Sequence, residues 1–218
     1  MECPVCSTPR TRNAAATREA LLVAARRRFI EESYDAVGLR EIAADAGIDV
    51  SLVHRYFGSK EGLFRAVLQS GKKKFNGDVS AEHLPAFLAE TIVNQDGEPN
   101  SEHTDRLLII LRSASSAKAA EIVRESMRED VLEPIARLLD GDNPELRASL
   151  CMALFMGTKV QRTIMGVGPL CECDPEIFRS KLVRMFEVAL NGDVPRIGPM
   201  PRRSAPVTSD GHPDRSVT

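Results

Sequence analysis

The sequence predicts an all-α protein with a small N-terminal bundle, a larger C-terminal helical domain and a tail at each end. Three observations predict it. Ala, Leu, Arg and Glu recur at spacings of three and four, and no segment alternates with period two. Breakers cut the chain at helical intervals: Gly97 with Pro99, Gly141 with Pro144, Gly168 with Pro169, and Asp174 with Pro175. Aromatic residues make up only 5% and Trp is absent, while 43% hydrophobic residues over 218 positions are ample for a buried core.

Taken in order, residues 1–12 carry two prolines and no periodicity, so a disordered tail is expected there. Helices are expected over 14–32, 39–46, 50–57 and 60–75, then over 81–94, 103–115, 119–140, 145–166 and 176–191. Pro134 should kink the helix that contains it, because an interior proline removes one hydrogen bond and clashes with the preceding turn. Residues 193–218, rich in Pro, Ser, Gly and Arg, form a second disordered tail. The expected division is 13–60 for the first domain and 61–192 for the second.

Five cysteines, no charged-then-apolar leader, and apolar runs as short as 107–111 and 150–156 predict a soluble, cytoplasmic chain that crosses no membrane. The net charge of −2 hides an asymmetry. Residues 10–74 hold 13 Lys+Arg against 8 Asp+Glu, and the rest hold 16 against 23. The basic excess lies at the N-terminus, where a polyanion would be met.

In the first helix Leu21, Leu22, Ala25 and Phe29 make one apolar stripe, with Arg26, Arg27 and Arg28 opposite as a solvated face. Ile42, Ala43 and Ala46, then Leu52, Val53 and Phe57, offer the matching surface on the next two helices. Between these, Gly47 can take the left-handed conformation, Ile48 plugs the core and Asp49 caps the following helix. Two short helices joined by such a turn define a helix-turn-helix. Its second helix would enter the major groove of double-stranded DNA with Val50, Ser51, His54 and Arg55 facing base edges. Lys60, behind the cap residue Ser59, would meet a phosphate at a helix N-terminus.

Thr17-Arg18, Ala24-Ala25, Phe29, Tyr34, Arg40-Glu41-Ile42-Ala43, Ala46-Gly47-Ile48, Tyr56-Phe57, Ser59-Lys60-Glu61 and Leu63-Phe64 together resemble the TetR/AcrR regulators over residues 17–64. The resemblance implies a one-component regulator, a repressor, that binds a palindromic operator as a homodimer and is released by a small-molecule effector. It adds Thr17, Arg18, the backbone of Leu39, Arg40 and Tyr56 to Lys60 as phosphate contacts. Two positions depart from the pattern. Ser33 replaces a glycine, so a strained positive φ is expected there, and Gly38 replaces the Ser or Thr that caps the second helix.

Helices 145–166 and 176–191 carry wide apolar stripes, with Ala153 and Gly157 allowing close approach in a two-fold four-helix bundle. Phe87, Ile110, Met127, Met152, Phe155 and Met156 are the expected walls of an effector pocket. Cys3 with Cys6 and Cys171 with Cys173 have half-knuckle spacings but lie far apart, and they are read as inert thiols rather than a metal site. No cofactor is expected, and no phosphate loop, nucleophile-base pair or paired carboxylates point to an enzyme. The alternative reading is a constitutive DNA-binding regulator or a helical adaptor with no small-molecule ligand.

Overall fold

A computed structural model describes residues 9–70, 79–94 and 102–192, with side chains from residue 14 in the first stretch and from residue 104 in the third. The described residues are helical, with no strand among them. The order is α1 (Pro9–Glu31), α2 (Leu39–Asp45), α3 (Val50–Phe57), α4 (Lys60–Gln69), α5 (Leu84–Asn94), α6 (Glu102–Ser113), α7 (Ala117–Met127), α8 (Glu133–Ala136), α9 (Pro144–Lys159), α10 (Gly168–Cys171) and α11 (Pro175–Leu190). Most of the nine expected helices recur within a few residues of their expected bounds. The first starts earlier, at Pro9, and the stretch expected to follow Gln69 in α4 lies largely outside the described residues, as does Lys72-Lys73-Lys74.

The expected stripe of α1 is buried: Leu21, Ala25 and Phe29 are fully enclosed and Leu22 nearly so. Phe64 of α4 meets the rings of Phe29 and Tyr34 edge-on, each at 4.9 Å between centroids. The expected strain at Ser33 is corrected. Among the described residues Asn143 is the one non-glycine with positive φ. The chain instead leaves α1 through Glu32 N donating to Arg28 O at 2.8 Å and Ala36 N donating to Ser33 O at 3.1 Å, a turn that any residue can make.

The helix expected over 119–140 is divided ahead of Pro134. A wide π turn, Arg128–Leu132, separates α7 from α8, so the proline sits in the first turn of α8, where a missing N–H costs little. A second π turn, Val160–Ile164, closes α9. Gly168 and Pro169, expected only as breakers, start the single turn of α10.

Two apolar cores result, and they do not divide at residue 61. The first joins α1 to α4 and also takes in Ile109 of α6 with Ala119 and Ile122 of α7. The second joins α5, α8, α9 and α11 around Leu84, Ile92, Cys151 and Phe186. Each large side chain so enclosed stabilises the fold by about 1.5–3 kcal/mol. Polar ties reinforce the seam across the first core: Ser116 Oγ donates to Asp35 at 3.0 Å, and Arg65 of α4 pairs with Glu125 of α7.

Candidate DNA interface

The connection between α2 and α3 forms as the sequence predicts. Gly47 has φ of 65°, Ile48 packs on the first core, and Asp49 caps α3 by accepting the Ser51 N–H at 2.8 Å. The Ser51 hydroxyl and then that N–H hold the Asp49 carboxyl below its ordinary range. Gly38 does cap α2, without a side-chain bond to the first turn, and Glu41 reaches back to accept the Gly38 N–H at 3.0 Å.

With Val53 fully buried, the 3.6-residue period turns Ser51, His54 and Arg55 outward on one face, and all three are exposed. Val50 is different. It is half-buried against the first core, so its side chain is divided between packing and the surface. Arg55 of α3 and Arg40 of α2 are exposed and have no hydrogen-bond or ion-pair partner among the described residues. Both guanidiniums keep all five donors for an external acceptor.

The phosphate candidates flank this face. Arg18 is exposed on α1 with its guanidinium 5.2 Å from the centre of the Phe57 ring, a cation–π contact that joins α1 to the end of α3. Thr17 is half-buried beside it, and Tyr56 and Leu39 are half-buried against the core. Lys60 is half-buried. Its ammonium lies 4.5 Å over the Tyr34 ring, and burial lowers its pKa against the opposing pull of Asp35, Glu61 and Glu41. Lys60 thus rests on Tyr34 at the N-terminus of α4, where Ser59 Oγ accepts the Gly62 N–H at 3.2 Å. Tyr34 beneath it stays protonated, since burial and then the charge of Glu61 push its phenol up to about 12.

Of the three consecutive arginines on α1, Arg28 forks onto Asp45 of α2 and also pairs with Glu32, Arg27 pairs with Glu31, and Arg26 donates to Ser70 Oγ at 2.9 Å. Hydrogen bonding from Arg28 holds the Asp45 carboxyl below its ordinary range. This pair, which ties α1 to α2, was invisible in the sequence because its members are local to different helices.

Two glycines that sequence reasoning passed over shape the α3–α4 turn. Gly58 adopts φ 74° and ψ −54°, and a Cβ on Gly62 would stand 2.1 Å from the Phe57 carbonyl oxygen. A signal was present, since Gly58 and Gly62 bracket Ser59-Lys60-Glu61, but spacing alone does not reveal a close approach. Gly62→Ala must push backbone apart and is expected to cost about 1–3 kcal/mol of stability. Urea titration of the variant checks this, and a loss near zero would mean the turn relaxes freely.

None of the six expected pocket walls lines the cleft of about 550 Å³ found between α9, α10 and α11, which is bordered by Ala153, Gly157, Ile177, Phe178, Lys181 and Met185 among others. Ile110 packs on the first core, Met152 and Phe155 on the second, Phe87 is exposed on α5, and Met127 and Met156 are half-buried. Arg106 of α6 is half-buried, and burial lowers its pKa against the pull of Asp130.

Cys171 and Cys173 are free thiols, each donating to a backbone carbonyl, of Arg162 and Leu170 respectively. Cys3 and Cys6 lie outside the described residues, as does the side chain of His103. His83 bonds Ser80 Oγ at 2.8 Å ahead of α5. No helix among the described residues is long and apolar enough to cross a membrane.

A model of the tetR family of bacterial regulatory proteins matches residues 21–67, and a model of the tetracyclin repressor-like C-terminal domain matches residues 82–190. The HTH-type transcriptional regulator BetI of Rhizobium meliloti (strain 1021) is 27% identical over 158 residues, which span 67% of this chain and 78% of that protein. Among solved structures, NalD, the secondary repressor of the MexAB-OprM multidrug efflux pump in Pseudomonas aeruginosa, superposes with a TM-score of 0.62 at 20% identity, covering 84% of this chain and all 100% of that one. A SmeT–triclosan complex superposes with a TM-score of 0.58 at 22% identity, covering 85% and 100%. At these identities the two structures establish the shared fold.

Proposed function

Because the chain belongs to the TetR family of transcriptional regulators, which bind DNA and are not enzymes, we propose that it is a repressor that holds a palindromic operator as a homodimer and lets go when a small molecule binds. The observation that carries the reading is the outward face of α3, where Ser51, His54 and an unpartnered Arg55 stand together on a helix anchored by Val53. Arg55 donates twice to a guanine edge, and Ser51 and His54 read neighbouring bases, with Val50 brushing a thymine methyl from its half-buried position. Thr17, Arg18, Arg40, Tyr56 and the backbone N–H groups of Leu39 and Lys60 hold phosphates and set the register.

Two-fold DNA calls for a two-fold protein, and the second core supplies a surface for it. On α9 Leu146 and Leu150 are 57% and 52% exposed, and on α11 Ile177, Met185 and Val188 are 61%, 50% and 75% exposed. The stripe of α11 thus divides, with Phe178, Leu182 and Phe186 buried in the core and Ile177 and Met185 exposed, while on α9 Leu154 packs on that core and Leu146 and Leu150 are exposed. An apolar face of this extent supports burial against a second copy. A Cβ built on Gly157 meets nothing within 4 Å, which leaves room for a partner helix beside the cleft.

For the effector, the reading is an apolar or amphipathic molecule held by the C-terminal domain. The packing of α1 on α6 and of α4 on α7 supports a coupling path, since a shift of α6 or α7 must displace the first core they complete. Coupling is reciprocal. An effector found by screening is expected to raise the operator Kd at least ~10-fold, about 1.4 kcal/mol, and operator must weaken that effector by the same factor. Titration of each with and without the other checks it, and a tightly bound molecule that leaves both affinities unchanged favours a constitutive regulator.

The interface itself is tested by two substitutions. Arg55→Ala should weaken operator binding by about 1–3 kcal/mol and hardly change non-specific binding, whereas Arg40→Ala should weaken both and lower the salt slope by about 0.9. Equal losses on both DNAs for Arg55→Ala would remove it from the bases.

A further inference from the structure

His54 stands on the exposed face of α3, and its Nδ1 lies 3.1 Å from the carbonyl oxygen of Gly58. A carbonyl oxygen only accepts, so the proton of this bond belongs to Nδ1. A neutral imidazole has one N–H, and Nε2 is then left as a bare acceptor.

The local backbone explains why the carbonyl points back at the helix. Gly58 N donates to His54 O at 2.9 Å, and Ser59 N then donates to Phe57 O at 2.9 Å across two residues. With φ of 74° and ψ of −54° at its centre, this is a γ-turn of the rarer, positive-φ kind. Only glycine holds that conformation without strain. Gly62 packs against the same turn, with no room for a side chain beside the Phe57 carbonyl oxygen that accepts the Ser59 N–H. Among the described residues no backbone N–H donates to Gly58 O, which leaves the imidazole as its donor.

In the major groove the donors on base edges are the N6 amine of adenine and the N4 amine of cytosine, while guanine and thymine present acceptors there. We infer that the Gly58 turn fixes His54 as an acceptor that selects an amino-bearing base, adenine or cytosine, on the strand it faces, at one position in each half-site beside the base read by Arg55. This rests on the DNA-binding reading above. Adjacent side chains of α3 then read opposite polarities, Arg55 donating and His54 accepting, and the pair discriminates register as well as base.

Two measurements on the full chain at about pH 8, where a free imidazole is neutral, test it. Multiple-bond ¹H–¹⁵N NMR of the DNA-free protein reads which ring nitrogen carries the proton, with the His54 signals identified by their loss in His54→Ala. Selection from a randomised operator library, run on wild type and His54→Ala, reads the base. The expected result is a protonated Nδ1, with adenine or cytosine favoured about 5- to 10-fold at one symmetric position, a preference that vanishes in His54→Ala while the base read by Arg55 persists. Replacing that base by purine or 2-pyrimidinone, which lack the amine, should reproduce the loss in wild type and add nothing in His54→Ala. A proton on Nε2, guanine or thymine at the position, or an unchanged profile in His54→Ala overturns the assignment. If wild type selects no sequence at all, the operator reading falls and the role of His54 falls with it. A clear operator with an indifferent position removes His54 alone.

Discussion

Phe64→Ala is expected to destabilise the protein by about 3–5 kcal/mol, the usual cost of emptying a fully enclosed phenylalanine site. Phe64 has no exposed surface and holds the rings of Phe29 and Tyr34 at 4.9 Å each, so the space left has large neighbours on two sides. Its position on α4 also places it between the helix-turn-helix and the seam formed by α6 and α7. Against a total stability of about 5–15 kcal/mol, the loss is enough to unfold the first core well before the second. Urea titration followed by far-UV circular dichroism should show a separate early transition together with weakened operator binding. A loss below about 1 kcal/mol would mean that the site collapses and that Phe64 does not anchor the junction.

The second large effect concerns assembly. Carboxylates placed by Leu150→Glu with Val188→Glu on the exposed apolar face of α9 and α11 would repel their counterparts across a two-fold axis. The double variant should sediment as a monomer with unchanged helical content. Because a dimer gains its second half-site as an intramolecular event, operator affinity should fall about 100-fold or more. A variant that remains dimeric would move the interface away from these helices. One that is monomeric yet binds as tightly would make the dimer irrelevant to DNA.

Much of the fold was legible because its signals are local. The bounds of α3, the cap residues Asp49 and Ser59, and the left-handed Gly47 depend on neighbours within four residues, and each appears as expected. What was hidden depends on distant partners. Lys60 rests on the ring of Tyr34 from the turn after α1, and Arg26 and Arg28 are claimed by Ser70 and Asp45. Ile109, Ala119 and Ile122 come from helices expected in the second domain, and only packing assigns them to the first core. The strain expected at Ser33 came from the family pattern rather than from this chain, whose turn keeps φ negative there. The effector walls were the least legible. An apolar stripe does not say which of its members faces a core and which a cavity, and the six chosen are scattered over both cores and the surface.

Two copies of α3, related by a two-fold axis, are expected to enter successive major grooves of one operator. Hydroxyl-radical footprinting of the full chain on DNA from the library selection, paired with sedimentation of the complex, tests it most directly. The expected result is two protein chains per site and two protected patches related by two-fold symmetry, centred about one helical turn apart, 10–10.5 base pairs, or a multiple of it. A single asymmetric patch, or protection by one chain alone, would contradict it.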